Sequence, residues 1–207
     1  GKVVLAIGNR GTPMLLKVPG EDLKVTREVA GRFCNGCGAA RQGEQMFCTN
    51  CGQRLPLVAV VDSKVQYKLG DPKEFIGKHC VVVGAGNSAI EVAVALTGFE
   101  RKGKEISFAP GPPVTLVIRS DLRGDLKLGN KMNFYDCLDA GRIKAYYRTT
   151  IKRIDDNQVV LMDAQGGAET ATVPCDFVFA LIGGDKPTNF LEKLGIEILG
   201  KPKTKAR

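Results

Sequence analysis

Short apolar runs recur along the chain, separated by turn-forming segments. Residues 3–7 (Val-Val-Leu-Ala-Ile) form one such run, ended by Gly8, and read as a buried strand. Gly11-Thr12-Pro13 and Val18-Pro19-Gly20-Glu21 read as turns. Residues 57–61 are β-branched and short, the signature of a strand, and residues 65–69 alternate before a Gly70-Asp71-Pro72 turn. Residues 80–83 predict a buried strand, 84–86 a tight turn and 87–96 a helix rich in Ala, Val, Ile and Glu. A second buried strand is expected at 114–118, after a polar stretch ending Pro110-Gly111-Pro112-Pro113. About residues 131–140 read as helix and 143–147 as strand. Residues 151–154, 159–162 and 170–173 read as a small antiparallel set, 177–182 as a buried strand running into Gly183-Gly184, and 189–194 as a short helix.

Strands alternating with helices predict a parallel sheet with right-handed crossovers. The late antiparallel set departs from a plain doubly wound fold. A length of 207 residues suits one sizeable domain, or one domain carrying a small insert. No run of about 18 apolar residues occurs, so no membrane span is expected. The first residues read directly as a strand, not as a signal peptide. The formal charge is +8. A basic soluble surface accounts for it; sharper readings are an anionic cofactor, an acidic partner protein or nucleic acid. The basic residues are spread out, with a run only at Lys201, Lys203, Lys205 and Arg207, which does not support a dedicated nucleic-acid face.

The sequence at 81–96, VVVGAGNSAIEVAVAL, places Gly84-x-Gly86-x-x-Ala89 after a strand and at a helix start. The first glycine permits the turn, the second lets a pyrophosphate approach the backbone, and the small Ala89 lets helix and strand pack closely. The helix N-terminus then offers N–H groups and partial positive charge to the phosphates. Asn87 and Ser88 are candidate caps. The competing reading is a glycine turn with no ligand. The end of the second strand sets cofactor choice: an acid there suits the ribose of NAD, an arginine the 2′-phosphate of NADP. Arg119 takes that slot, with Ser120 and Arg123 beside it. These residues favour NADPH over NADH, although Asp121 would suit NAD in a shifted register, and solvated arginines are the bland alternative.

Seven cysteines are present. Cys34/Cys37 and Cys48/Cys51 form two Cys-x-x-Cys-Gly knuckles with ten residues between them. Two such turns facing each other make a tetrahedral zinc site, closed to water and therefore structural. A rubredoxin-like iron centre and a redox dithiol use the same residues and remain open. Docking an electron-accepting partner or bracing a loop are both roles open to this segment. Cys80, Cys137 and Cys175 sit in apolar runs and read as small hydrophobes. A reducing cytoplasm is the expected compartment. His79 has no titratable partner nearby in sequence and reads as structural.

Several segments together resemble one family. Residues 3–21 resemble the strand and loop closing the first half of the FAD domain in thioredoxin reductase-like, FAD-dependent pyridine nucleotide–disulfide oxidoreductases. Residues 71–96 resemble the start of their NADPH domain, and 173–196 the strand returning from it. The resemblance implies an α/β, Rossmann-like three-layer FAD/NAD(P)-binding fold with a parallel sheet and an antiparallel crossover, carrying a small β zinc-ribbon insert. It implies hydride transfer from NADPH to FAD, Glu91 near the nicotinamide (an exposed helix carboxylate being the alternative) and Gly183-Gly184 lining the cofactor. The expected organisation is an FAD-domain-like end at 1–30, the ribbon at 31–56, connecting strands at 57–78, the NAD(P)-binding domain at 79–184 and a return segment with a basic tail at 185–207. Neither an FAD glycine box before residue 1 nor an FAD-domain Gly-Asp motif after 196 is seen, and residues 67–78 lack the redox Cys-x-x-Cys of thioredoxin reductases. The chain is thus expected to be the NADPH part of a flavoprotein, inactive alone, with electrons sent elsewhere. The alternative is a nucleotide-sensing or protein-docking module working through its ribbon.

Overall fold

A computed structural model describes residues 13–41, 45–184, 191 and 194–196. The strand expected at 3–7, most of the helix expected at 189–194 and the basic tail lie outside the described residues.

The described chain opens with an antiparallel arm. Strand β1 (Lys24–Ala30) pairs with β2 (Leu57–Ser63) in register from Lys24 opposite Ser63 to Ala30 opposite Leu57. The cysteine segment sits at the tip, where the amide of Gly31 donates to the Pro56 carbonyl at 2.7 Å. Sequence reading missed β1, because Lys24, Arg27 and Glu28 interrupt its apolar residues. The base of the arm is held by Arg27, whose guanidinium reaches Asp62 at 2.5 Å and Glu74 at 2.9 Å and lies 5.8 Å from the Phe75 ring centre.

Strand β3 (Val65–Gln66) is shorter than its alternation suggested. Strand β4 (Cys80–Val83) and helix α1 (Asn87–Leu96) fall where expected. A small hairpin, β5 (Glu100–Lys102) with β6 (Glu105–Ser107), occupies the stretch read as an irregular connection; its exposed residues carry no buried face for a pattern to record. Then come β7 (Val114–Ile118), α2 (Leu128–Asp139) and β8 (Ile143–Tyr147). Helix α2 begins three residues before its expected start. The crossover strands are β9 (Thr149–Ile154), β10 (Gln158–Asp163) and β11 (Glu169–Pro174), and β12 (Phe177–Ala180) closes the sheet.

The central sheet is parallel, in the order β3-β12-β4-β7-β8, and a separate antiparallel sheet has the order β11-β10-β9. Strands β4, β7 and β12 are buried along their whole length. Alternate residues divide between the two faces. Cys80, Val82, Leu116, Phe177 and Phe179 pack with α1 and α2, while Val81, Val83, Val117, Val178 and Ala180 pack against the antiparallel sheet. Three layers result, and cover on both faces explains continuous apolar runs in place of alternation.

Lys64 is the largest surprise in the core. It is 1% exposed, and its Nζ donates to the carbonyls of Cys175 at 2.7 Å, Asp156 at 2.8 Å and Asp176 at 3.3 Å. It staples the arm's exit to the crossover and to the start of β12. Replacing Lys64 with Met leaves those carbonyls without their donor, and a loss of about 1–3 kcal/mol is expected. Urea unfolding checks this: the midpoint falls while the slope is unchanged. An unmoved midpoint contradicts the staple.

Candidate functional site

The carboxyl ends of β4, β7 and β12 open into a cleft of about 870 Å³. It lies where the chain leaves β4 for β7 on one side while β12 flanks the other, the usual ligand position in open α/β sheets. Of the residues singled out from sequence, Gly84, Gly86, Asn87, Ser88, Arg119, Ser120, Arg123, Gly183 and Gly184 line it. Ala89 lies buried beneath the turn. Glu91 does not line the cleft; its carboxylate accepts from Asn130 Nδ2 at 2.8 Å and lies 3.6 Å from Lys127 Nζ.

The two glycines differ in cause. Gly84 has φ +145°, and a Cβ there would lie 2.5 Å from the Leu181 carbonyl oxygen and 2.9 Å from the Ala89 Cβ. Its glycine is required by the protein itself. Gly86 has an ordinary φ of −95°, and a Cβ there would meet only Arg123 Cδ at 3.6 Å. No described atom demands a glycine at 86; the space is open on the cleft side.

The caps depart from expectation. Gly86 is the N-cap of α1, and no side chain caps that helix. Asn87 instead serves α2: its Oδ1 accepts from the Lys127 amide at 2.9 Å and from Asn130 Nδ2 at 2.9 Å. The reason is tertiary, since α2 packs beside α1 and brings its own orphan donors within reach. The first amides of α1 are therefore left without a side-chain acceptor at the cleft.

Arg119 and Ser120 follow β7 and are exposed, and Arg119 has no ion pair among the described residues. Arg123 is held: its Nε and Nη2 bond Asp125 Oδ1 and Oδ2 at 2.9 and 2.8 Å, and this fork holds the Asp125 carboxyl below its ordinary range. Asp125 lines the cleft too. Sequence reading passed over it, although it stands two residues after Arg123. Met14, Leu15, Leu16 and Tyr67, also unforeseen, form one wall. The Met14 amide donates to the Gly183 carbonyl at 3.1 Å. Glu21 anchors this wall, accepting from the amides of Leu16 at 2.7 Å and Lys17 at 2.8 Å and from the Tyr67 hydroxyl. Burial pushes the Glu21 carboxyl up, but the Tyr67 bond and the amides prevail and hold it below its ordinary range. Burial and that carboxylate push Tyr67 up to about 12. His79 is exposed, and among the described residues its side chain makes no bond, while its amide donates to Asp176 Oδ2 at 2.8 Å.

The cysteine segment contains the same turn twice. The amides of Cys34 and Cys48 donate to the carbonyls of Ala39 and Gln53, at 2.9 and 2.7 Å, and those of Gly38 and Gly52 return to Cys34 and Cys48. Gly38 and Gly52 have φ +70° and +71°, which glycine adopts without strain. Single bridges, Phe33 with Ala40 and Phe47 with Arg54, close each knuckle. The four sulfurs of Cys34, Cys37, Cys48 and Cys51 lie within 4.8 Å of one another, and all are free thiols. Cys34–Cys51 and Cys37–Cys48 are each 3.5 Å apart, close to the ~3.8 Å edge of a tetrahedron with zinc–sulfur bonds of about 2.3 Å. The Ala39 amide and the Asn50 side chain draw Cys37 down to about 6. Cys51 receives the Gln53 amide, yet its neighbours Cys34 and Cys37 drive it up to about 12. Four sulfurs this close could all ionise only around a cation, and their spacing fits the donor set of a tetrahedral metal ion.

The profile of the family described as pyridine nucleotide-disulphide oxidoreductase matches residues 55–205, beginning just where the cysteine segment ends. The chain is 29% identical over 133 residues to the bacilliredoxin reductase of Bacillus subtilis, covering 64% of this chain and 36% of that protein. It is 27% identical over 139 residues to a ferredoxin–NADP reductase of Flavobacterium psychrophilum, covering 66% of this chain and 36% of that protein. Among solved structures it superposes on the bacillithiol disulfide reductase of Staphylococcus aureus with a TM-score of 0.54 and 25% identity, covering 65% of this chain and 38% of the other. No helix among the described residues is long and apolar enough to cross a membrane. With its parallel sheet, antiparallel crossover and glycine turn, and with the profile matching well over half its length, the chain belongs to the pyridine nucleotide-disulphide oxidoreductase family.

Proposed function

We propose that this chain is the NADPH-binding part of an FAD-dependent oxidoreductase. The observation that carries the reading is a convergence in one cleft: an α1 N-terminus with no side-chain cap, open space above Gly86, and Arg119 with no ionic partner among the described residues. Amides at a helix start are a diphosphate site. A guanidinium just past the neighbouring strand suits a 2′-phosphate, because its fork bonds two oxygens. Gly183, Gly184, Ser120 and Arg123 line the same cleft. NADPH bound there supplies a hydride. The chain's own residues bind and orient the dinucleotide, and the flavin is held by polypeptide outside this chain. The chain spans 36% of the length of the two curated relatives, and the whole protein's reaction and electron acceptor belong to this proposal. The four-cysteine cluster is read as a structural zinc site, all four positions being filled by protein.

Fluorescence titration with NADPH and NADH tests the reading. Arg119→Glu is expected to weaken NADPH binding about 10- to 100-fold, equivalent to about 1.4–2.8 kcal/mol, and to change NADH binding less than about threefold. Equal losses for both would remove the 2′-phosphate from the account. Binding of neither cofactor to the wild type would favour a docking module working through its cysteine segment.

A further inference from the structure

Two arginines stand in the cleft past β7, and among the described residues only Arg123 is paired with a carboxylate. Arg119 has no ion pair among the described residues, whereas Asp125 occupies the fork of Arg123 through two bonds of 2.9 and 2.8 Å. All three residues line the same cleft, and Arg123 lies alongside the glycine turn, within 3.6 Å of where a Gly86 Cβ would be. We propose that Asp125 sets cofactor discrimination, by occupying the guanidinium of Arg123 and opposing a 2′-phosphate with its own charge. This inference rests on the NADPH reading given above.

Asp125 and a phosphate compete for the same donors. A guanidinium fork presents a limited set of donors, and a carboxylate seated on it displaces a second anion from that edge. The pair is not a buried structural bridge: the side chains are 64% and 62% exposed, where an ion pair is worth little and exchanges easily. Its removal therefore costs the fold little, while its effect on a dianionic ligand in the same cleft is direct. With the Nε–Nη2 edge of Arg123 engaged by Asp125, a 2′-phosphate meets Arg119 and only the remaining donors of Arg123, and discrimination against NADH is held below what two unpaired arginines would give.

The test is a double-mutant cycle on the protein, read by titration with NADPH, NADH, adenosine 2′,5′-bisphosphate and 5′-AMP. Asp125→Asn keeps the shape and removes the charge. It is expected to tighten NADPH and adenosine 2′,5′-bisphosphate about three- to tenfold, leaving NADH and 5′-AMP within about twofold. Arg123→Gln alone leaves Asp125 uncompensated and is expected to weaken NADPH, whereas Arg123→Gln with Asp125→Asn returns close to wild type. Unchanged or weaker NADPH binding in Asp125→Asn overturns the inference and leaves the NADPH reading intact. Binding of neither dinucleotide to any form overturns both.

Discussion

Replacing Gly84 with alanine is expected to lower stability by about 2–5 kcal/mol and to weaken NADPH binding at least tenfold. Two costs combine at this position. The backbone sits at φ +145°, which L-residues rarely adopt, and the new Cβ would press within 2.5 Å of the Leu181 carbonyl oxygen and 2.9 Å of the Ala89 Cβ. Neither neighbour is the loose end of a side chain. Leu181 continues β12, its amide bonded to the Val83 carbonyl at 2.8 Å, and the Gly84 amide is bonded to Val117 at 3.0 Å. Relief would pull apart the junction of β4, β7 and β12 that shapes the cleft. Gly86→Ala is the control. Its φ is ordinary and its only close contact would be Arg123 Cδ, so stability is expected to hold within about 0.5 kcal/mol while nucleotide binding falls. Urea midpoints and cofactor titrations on the two variants separate the effects. Equal destabilisation would mean that the turn is not built as described.

If the four-cysteine cluster holds the proposed zinc, chelation is expected to unfold the cysteine segment and leave the nucleotide domain folded. Beyond its sulfurs the segment buries little among the described residues: Cys34, Cys48 and Leu55 form its cluster, with Ala39 packed against it. A core that small cannot by itself offset the conformational entropy of ordering the segment. Under the proposed zinc reading, metal binding and folding of the segment are one event, because a preformed site does not exist in the unfolded chain. Chelation, or Cys48→Ser, should release one zinc per chain and abolish amide exchange protection across the segment. The two large cores contain no residue from 31–56, so the main thermal transition should stay in place. Amides that stay protected after chelation would show that the segment folds without metal, and a coloured protein would identify iron.

Much of this molecule was readable from residues alone, for reasons that differ between parts. Strands β4, β7 and β12 were legible because cover on both faces leaves an unbroken apolar run. The glycine turn was legible because Gly84 sits where a side chain does not fit, and the knuckles because the Cys-x-x-Cys-Gly turn occurs twice. The antiparallel crossover was visible in the short runs at 151–173. Strand β1 was hidden, since a two-stranded arm has little buried surface to record. The start of α2 was hidden because Gly129 and Asn130 are weak helix formers; Asn87, from a different helix, satisfies the Lys127 amide there.

The chain's own pattern thus determined its class, its glycine turn and its four clustered thiols, all of which depend on neighbours close in sequence. Tertiary structure decided which polar groups are used up and which stay free. It buried Lys64 under three carbonyls contributed from residues 156–176, turned Glu91 toward Asn130, set Asp125 on Arg123 within the cleft and left Arg119 without an ion pair among the described residues. Burial period is a local property that a sequence carries openly. The partner of a charge or of an amide depends on which distant segments the closed fold brings within about 3 Å, and that is fixed only when the layers pack.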